Sequence, residues 1–158
     1  MGARDEAIES FEKAEDAGVP KYLTRYAIAE TEATTGDIEA AFKELGEAIA
    51  AGYAVPEEME SDPDFGTMRQ GIRITTLLEH AKRNAAPCKY APESRQFDFL
   101  VGEWNVVTSK GEMPAGDSRI ELSLGDCVIV ENWSSKNSAY AGKSYNVYNT
   151  ADKRWERF

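Results

Sequence analysis

The sequence predicts an α+β protein in which helical hairpin repeats precede an antiparallel meander or partial barrel. Up to about residue 84 the apolar side chains recur at helical spacing, whereas from residue 101 onward apolar and polar residues alternate in short segments. The charges divide near the same point, because residues 1–88 carry 18 acidic and 9 basic side chains while residues 89–158 carry 10 and 9. We therefore expect a helical domain over residues 1–84, a linker over residues 85–96 and a sheet domain over residues 97–158.

The composition also excludes some partners. The formal net charge is -10 and no basic patch is present, so a phosphate backbone has nothing to bind and we expect no nucleic-acid partner. No apolar run approaches the roughly 20 residues that cross a bilayer, so we expect no membrane span. No signal-peptide pattern follows Met1, which taken alone would indicate the cytoplasm.

The helical half contains an internal repeat. Small residues coincide when the chain is shifted by 34 residues: Ala7 with Ala41, Ala14 with Ala48, Ala17 with Ala51 and Gly18 with Gly52. This is the period of the tetratricopeptide repeat. Residues 36–52 resemble the second helix of that repeat and residues 22–34 its first helix, which implies a helical domain that docks a protein partner. A generic helical hairpin with coincidental alanines is the alternative.

Residues 5–17 match only the second helix of such a repeat. Because a repeat unit needs its neighbour to bury its apolar face, we expect the partner helix to precede Met1, so that the chain begins inside a repeat.

A closing region follows over residues 56–84. Asp62 is the expected N-cap of a helical segment with Pro63 at its first position. An apolar stripe at helical spacing then runs through Ile74, Leu77, Leu78 and Ala81. His80, the only histidine, has no neighbouring ligand or base in the sequence, so we expect a surface or capping role.

The sheet half opens with an apolar aromatic segment, FDFLVGEW, over residues 97–104. A glycine in a strand pattern, here Gly102, indicates a bulge or a close backbone approach, and Trp104 is large enough to plug one end of a sheet. The segment resembles the opening strand of lipocalin-like β-barrels, which carries Gly-x-Trp, and in particular a family of bacterial lipocalin-like domains of unknown function. The resemblance implies a barrel that holds a small, mostly apolar ligand.

Alternation and turn residues predict five strands, over residues 101–109, 118–124, 127–134, 142–148 and 154–158. Residues 111–116 form the first turn, and Gly125 and Asp126 a tight hairpin turn. Closed barrels of this kind need about eight strands. A fifth strand that ends at residue 158 leaves an unpaired edge, so we expect a partial barrel that is truncated at its C-terminal end as well.

The two cysteines, Cys88 and Cys127, have neither Cys-x-x-Cys spacing nor a nearby histidine, which argues against zinc, and we expect no metal and no cofactor. The related lipocalin-like domains often carry a cysteine at each of these positions, so the resemblance implies a Cys88–Cys127 disulfide. Two unrelated buried thiols are the alternative. A bridge would indicate the periplasm or the cell exterior, and free thiols the cytoplasm.

The functional candidates lie in the sheet half. Ile129, Glu131 and Trp133 would share one face of a strand, and a Glu131 carboxylate inside the barrel would have a raised pKa and could bind or exchange a proton. A structural carboxylate at the rim is the alternative. The candidate ligand-lining residues are Trp104, Ile120, Leu122, Glu131, Trp133 and Tyr145.

Three functional classes remain open. The leading hypothesis is a non-enzymatic protein with helical repeats for protein docking and a barrel for a small apolar ligand. The second is an enzyme with Glu131 as acid or base, and the third is a structural envelope or scaffold protein whose barrel is packed solid. The sheet half has no Gly-x-Ser-x-Gly motif for a serine hydrolase and no histidine that could ligate haem.

Overall fold

The computed structural model describes residues 2–111 and 113–158 of a chain that divides into two compact units, Met1–Ala85 and Ala86–Phe158. The first unit is helical. The second contains a five-stranded antiparallel sheet in which each strand pairs with the next along the chain. The α+β class is therefore confirmed, and the sheet formed by the described residues is open rather than closed into a barrel.

The helical unit consists of α1 (Ala3–Asp16), α2 (Lys21–Thr35), α3 (Ile38–Ala50), α4 (Pro56–Ser61), a 3₁₀ turn (Pro63–Phe65) and α5 (Ile72–Ala85). Gly36, at φ 91°, ends α2, and the side chain of Asp37 caps α3 by accepting the Ala40 amide at 3.1 Å. The predicted cap at Asp62 is confirmed, because its carboxylate accepts the Asp64 amide at 2.9 Å ahead of the Pro63 turn.

Helices α1 and α3 end in the same way, 34 residues apart. The first joint consists of hydrogen bonds from the amides of Ala17, Gly18 and Val19 to the carbonyls of Lys13, Glu15 and Ala14, in that order. The second consists of the bonds from Ala51, Gly52 and Tyr53 to Glu47, Ile49 and Ala48. Both glycines take a positive φ, 99° and 103°. The period seen in the sequence is thus also a period of the backbone.

The core of the helical unit lies between α2, α3 and α5. Tyr26 stacks on Tyr53 with ring centroids 4.4 Å apart and meets the Phe65 ring edge-on at 5.5 Å. The α3 residues Ala41 and Ala48 are fully buried because α3 packs on both α2 and α5. Helix α1 packs on α2, and none of its described residues is buried.

Ion pairs join the first three helices. Arg25 of α2 pairs with Glu15 of α1 at 3.0 Å and with the buried Glu44 of α3 at 3.2 Å. The hydrogen bond with Glu15 is the main cause that raises the pKa of Arg25 above its ordinary value, so the guanidinium stays charged. Arg4 of α1 pairs in the same manner with the buried Glu32 of α2.

The second unit begins with short helical turns and continues into the sheet. Its elements are α6 (Pro87–Tyr90), two 3₁₀ turns (Pro92–Arg95 and Asp98–Leu100), β1 (Gly102–Val107), β2 (Pro114–Ser123), β3 (Val128–Ser135), β4 (Ala141–Asn149) and β5 (Arg154–Arg157). Two segments therefore differ from expectation. The predicted linker is largely helical, and residues 98–100 of the predicted sheet domain form a turn rather than extended chain.

The strand boundaries also shift. Gly102 takes φ 143° and starts β1, whereas the register of β1 on β2 changes between Val106 and Val107 rather than at the glycine. Before β3, Leu124, Gly125 and Asp126 all have positive φ, so the turn is longer than predicted and Cys127 lies in it. The predicted turn at residues 111–116 includes Glu112, which lies outside the described residues, and its last three residues belong to β2.

The register assigns each side chain to one of two faces, because successive residues of a strand point to opposite sides. Trp104 pairs with Ser118, Ser118 with Trp133, Glu131 with Ser144, and Tyr148 with Trp155. We call this surface the tryptophan face, since it carries all three tryptophans of the chain. Its members include Trp104, Val106, Ser118, Ile120, Leu122, Ile129, Glu131, Trp133, Ser144, Asn146, Tyr148, Trp155 and Arg157.

No helix among the described residues combines the length and the apolar character that crossing a membrane requires.

Candidate functional site

Glu131 occupies the middle of the tryptophan face, on the central strand of the sheet. Its carboxylate accepts three hydrogen bonds, from the hydroxyl of Ser118 at 2.8 Å, the hydroxyl of Ser144 at 3.0 Å and the guanidinium of Arg157 at 2.7 Å. Both serines are buried, and the Glu131 side chain is 21 % exposed. The carboxylate is therefore a satisfied polar centre on a partly aromatic surface.

Two depressions flank Glu131. The first, of about 340 Å³, is lined by Leu100, Trp104, Ile120 and Glu131, with Val106 and Ser118 at its edges. The second, of about 330 Å³, lies on the other side of the carboxylate. Its lining includes Glu131, Trp133, Tyr140, Ser144 and Arg157. Each depression thus offers an aromatic wall next to the same polar centre.

A third depression lies between the sheet and residues 97–100, which we call the 97–100 segment. It has a volume of about 230 Å³, and its apolar lining consists of Phe97, Leu100, Ile129 and Trp155. Arg157 borders both this depression and the second one. The three depressions therefore surround the Glu131–Arg157 pair.

Aromatic contacts hold the 97–100 segment on the tryptophan face. The Phe97 ring meets the Trp155 ring edge-on at 5.0 Å, and the indole of Trp155 donates to the Gln96 side chain at 3.1 Å. At the other end, the indole of Trp104 donates to the Leu100 carbonyl at 2.7 Å. These contacts make Phe97 and Leu100 part of the site. Their apolar character is visible in the sequence, but the predicted first strand begins only at residue 101, and the pattern gives no sign of the contact with Trp155.

A disulfide fixes the chain just before the 97–100 segment. Cys88 of α6 is bonded to Cys127 of the β2–β3 turn, with the two Cα atoms 5.0 Å apart. Arg95 reinforces this link by donating to the carbonyl of Asp126, in the same turn, at 2.5 Å. The pairing that the resemblance implied is confirmed.

Five of the six predicted ligand-lining residues share the tryptophan face. Trp104, Ile120, Leu122, Glu131 and Trp133 lie there, whereas Tyr145 pairs with Val130 on the opposite face and cannot line the same surface. The physical reason is that side-chain orientation alternates along β4, so Ser144 and Asn146 point toward Glu131 and Tyr145 points away.

Gly116 positions Trp133 on this face. The Trp133 ring crosses the backbone of β2 so closely that a Cβ at position 116 would lie 2.5 Å from two ring carbons. Only glycine leaves this space, so the ring rests against the neighbouring strand and forms one wall of the second depression. Sequence reasoning missed Gly116, because its role depends on the pairing of β2 with β3.

The helical unit contains one group of carboxylates, within the described part of the chain, that lie close enough to share a metal ion. Oxygen atoms of Glu30, Asp62 and Asp64 lie within 4.8 Å of one another. Hard divalent cations take ligands of this kind. Burial, the hydrogen bond with Asp62 and the charges of both aspartates together raise the pKa of Glu30 to about 7. His80, in contrast, is exposed on α5, next to Leu77 and Phe42.

The tryptophan face can thus bind a molecule by apolar contact and orient it with one ion pair. A role for Glu131 as a catalytic acid or base stays a prediction. Its carboxylate already accepts hydrogen bonds from Ser118, Ser144 and Arg157. Comparisons of the chain with family models, with curated proteins and with solved structures gave no match.

Proposed function

We propose that this protein is a non-enzymatic binding protein whose sheet unit receives a small, mostly apolar ligand on the tryptophan face. The observation that carries the proposal is that three depressions with aromatic or aliphatic walls lie around one polar pair, Glu131 and Arg157, since Glu131 lines two of them and Arg157 lines two.

The exposure of the tryptophan face supports this proposal. Trp104 is 46 % exposed although it borders a depression with a largely apolar lining. Covering apolar surface is favourable by about 25 cal/mol per Å², and contiguous exposed apolar patches mark binding sites. A ligand that fills one of these depressions would recover this free energy.

Tryptophan fluorescence tests the proposal directly, because all three tryptophans lie on the proposed binding surface. We expect a library of small apolar compounds, titrated into the complete protein, to include members that change the emission in a saturable manner. Isothermal titration calorimetry should give the same affinities.

Two matched variants locate the binding surface. Phe97 and Tyr145 are 36 % and 45 % exposed, but Phe97 packs on Trp155 of the tryptophan face whereas Tyr145 points to the opposite face. We expect Phe97→Ala to weaken binding about tenfold, the effect of losing roughly 1.4 kcal/mol of contact, and Tyr145→Ala to leave it unchanged. Equal effects of the two replacements, or no saturable binding of any compound, would contradict the proposal.

We propose in addition that the helical unit docks a protein partner. The repeated joint at Gly18 and Gly52 supports a helical-repeat surface, and the exposed carboxylates of Glu57 and Glu60 in α4 favour a basic partner. Charge reversal of Glu57 and Glu60 should then release a partner that is captured by the intact protein and identified by mass spectrometry. A partner retained by this variant would argue against α4 as the contact.

The disulfide supports a location in an oxidising compartment, such as a periplasm or the cell exterior. Thiol titration of the protein isolated from its native source under denaturing conditions, with no reductant, should detect no free thiol. Two free thiols per chain would instead favour a location in the cytoplasm.

A further inference from the structure

We propose that the ligand of the tryptophan face is an apolar molecule with one carboxylate, which Arg157 binds while the apolar body enters the depression under the 97–100 segment. This inference rests on the proposed function and narrows it to one class of ligand.

The donors and acceptors at the polar centre favour an acceptor on the ligand. Glu131 already accepts three hydrogen bonds out of roughly four that a carboxylate offers. Arg157 carries several N–H groups, and within the described part of the chain its side chain donates only to Glu131. Its side chain is also 66 % exposed. A ligand acceptor therefore finds unused donors, whereas a ligand donor finds an occupied carboxylate.

The charges around the third depression also favour a carboxylate on the ligand. Glu156 also lines it, but this carboxylate accepts from Arg154 at 3.1 Å and from Asn149 at 3.2 Å. Both acidic residues that line the depressions next to Arg157 thus have basic partners. A carboxylate of the ligand would meet the guanidinium in the two-pronged geometry that makes arginine–carboxylate pairs strong.

Of the two depressions that border Arg157, the third has the more apolar lining and is the better place for the apolar body of the ligand. The third depression borders Arg157 directly, and Phe97, Leu100, Ile129 and Trp155 supply its apolar walls. Its volume of about 230 Å³ suits an alkyl chain or one ring system rather than a large polycyclic molecule. A ligand body that fills this depression would itself exclude water from one side of the guanidinium, so the ion pair would be stronger than one in bulk water.

The test compares ligands that differ only in the polar group. Decanoic acid, 1-decanol and decanamide are titrated into the complete protein at neutral pH, with tryptophan emission and calorimetry as readouts. We expect decanoic acid to bind at least about tenfold more tightly than the two neutral compounds.

Two arginine replacements with matched exposure then locate the effect. Arg157→Gln should abolish the preference for the acid and leave 1-decanol binding intact, which also shows that the site is folded. Arg119→Gln removes an arginine whose side chain is 62 % exposed on the opposite face, so the preference should persist. If the Arg157→Gln variant no longer binds 1-decanol either, the Arg157→Lys variant is measured in its place. A preference for decanoic acid in that variant supports the ion pair, and the absence of the preference overturns the inference.

Glu131→Gln should change the affinity for decanoic acid in the direction opposite to Arg157→Gln. The replacement removes the negative charge that competes for Arg157, so the affinity for decanoic acid should rise several-fold while that for 1-decanol stays the same. A fall in the acid affinity of this variant would overturn the inference. Equal binding of acid and alcohol to the unmodified protein would overturn it too while leaving the proposed function standing. Binding of none of the three compounds, nor of any library member, would remove the proposed function itself.

Discussion

The large apolar side chains of the helical unit and of the sheet unit have opposite environments. Leu45, Tyr53 and Phe65 of the helical unit are at most 2 % exposed and belong to one continuous core. In the described part of the sheet unit, the buried apolar residues are Val128, Ile129 and Val130, whereas Trp104, Tyr140 and Phe158 are exposed. The helical unit therefore buries its large apolar residues in a core, whereas the sheet unit leaves many of them exposed and is cross-linked by a disulfide.

The two units can be followed separately, which makes this comparison testable. All tryptophans lie in the sheet unit, so their emission reports its unfolding, whereas far-ultraviolet circular dichroism is dominated by the helices of the first unit. The four predictions below run from the largest expected effect to the smallest.

Loss of the disulfide should have the largest effect, and it should be confined to the sheet unit. The bridge closes a loop of 39 residues, for which chain entropy gives a stabilisation of about 4 kcal/mol. We expect the Cys88→Ser, Cys127→Ser double variant to lower the free energy of unfolding followed by tryptophan emission in urea by that amount. The helical transition followed by circular dichroism should not move. An equal loss in both signals would show that the units do not unfold independently.

Truncation of the helical core should have the converse effect. Leu45→Ala removes a fully buried side chain, which typically costs about 3 kcal/mol. The helical transition should shift by this amount and the tryptophan signal should not. Ile72→Ala is the matched control, because Ile72 is an aliphatic residue of the same unit that is 83 % exposed, and it should change stability by less than about 0.5 kcal/mol. A large cost at Ile72 would contradict its exposed position.

Glu30 should make the stability of the helical unit fall as the pH rises. The pKa of Glu30 is about 7 in the folded state, against 4.5 for an ordinary glutamate in the unfolded chain. Between these two pH values the folded chain therefore binds more protons at this carboxylate than the unfolded chain does. The contribution of Glu30 to the free energy of unfolding is thus highest below pH 4.5, and it decreases as the pH rises to about 7. At roughly 1.4 kcal/mol per pH unit the cost at alkaline pH is at most about 3 kcal/mol.

Glu30→Gln should remove this pH dependence. We expect the variant to be more stable than the parent at pH 8 and equally stable at pH 4, as measured by urea unfolding followed by circular dichroism. Glu12→Gln, at an exposed position of α1, is the control and should retain the slope of the parent. A Glu30→Gln variant with the parental slope would mean that other groups cause the dependence.

Loss of the α3 cap should have the smallest effect. Asp37→Ala leaves the Ala40 amide without its side-chain partner and should destabilise the helical unit by about 1 kcal/mol. Asp37→Asn keeps an acceptor at the same place and should recover most of that loss. Equal losses in the two variants would instead assign the effect to the ion pair of Asp37 with Arg4.

Local patterns in the sequence predicted those features that depend on neighbouring residues. The period of 34 located the matching ends of α1 and α3, and alternation placed Glu131 with Trp133 on one face. The Asp62 cap also followed from a short motif. Each of these depends on residues only a few positions apart, where backbone geometry leaves few choices.

Features that depend on distant pairing could not be predicted in the same way. Ser118, Ser144 and Arg157 become partners of Glu131 only through the register of three strand pairs. The 97–100 segment has an apolar, aromatic composition, but it forms a 3₁₀ turn whose Phe97 ring packs on Trp155, a residue nearly sixty positions later in the chain. Tyr145 lies on the face opposite the other five candidates, because alternation within one strand does not say how its two faces align with those of the next strand.

The identical joints at Gly18 and Gly52 make the helical unit extensible. Each joint has the same hydrogen bonds and the same glycine geometry. A second copy of residues 19–52 inserted after Gly52 would therefore follow a helix end like the one at Gly18 that precedes residue 19 in the parent. Repeat arrays gain stability with each interface between neighbours. The lengthened protein should therefore keep its helical content per residue and resist urea at least as well as the parent. Such a result would show that the length of this unit can be changed by adding copies of residues 19–52 without changing the geometry of the joint.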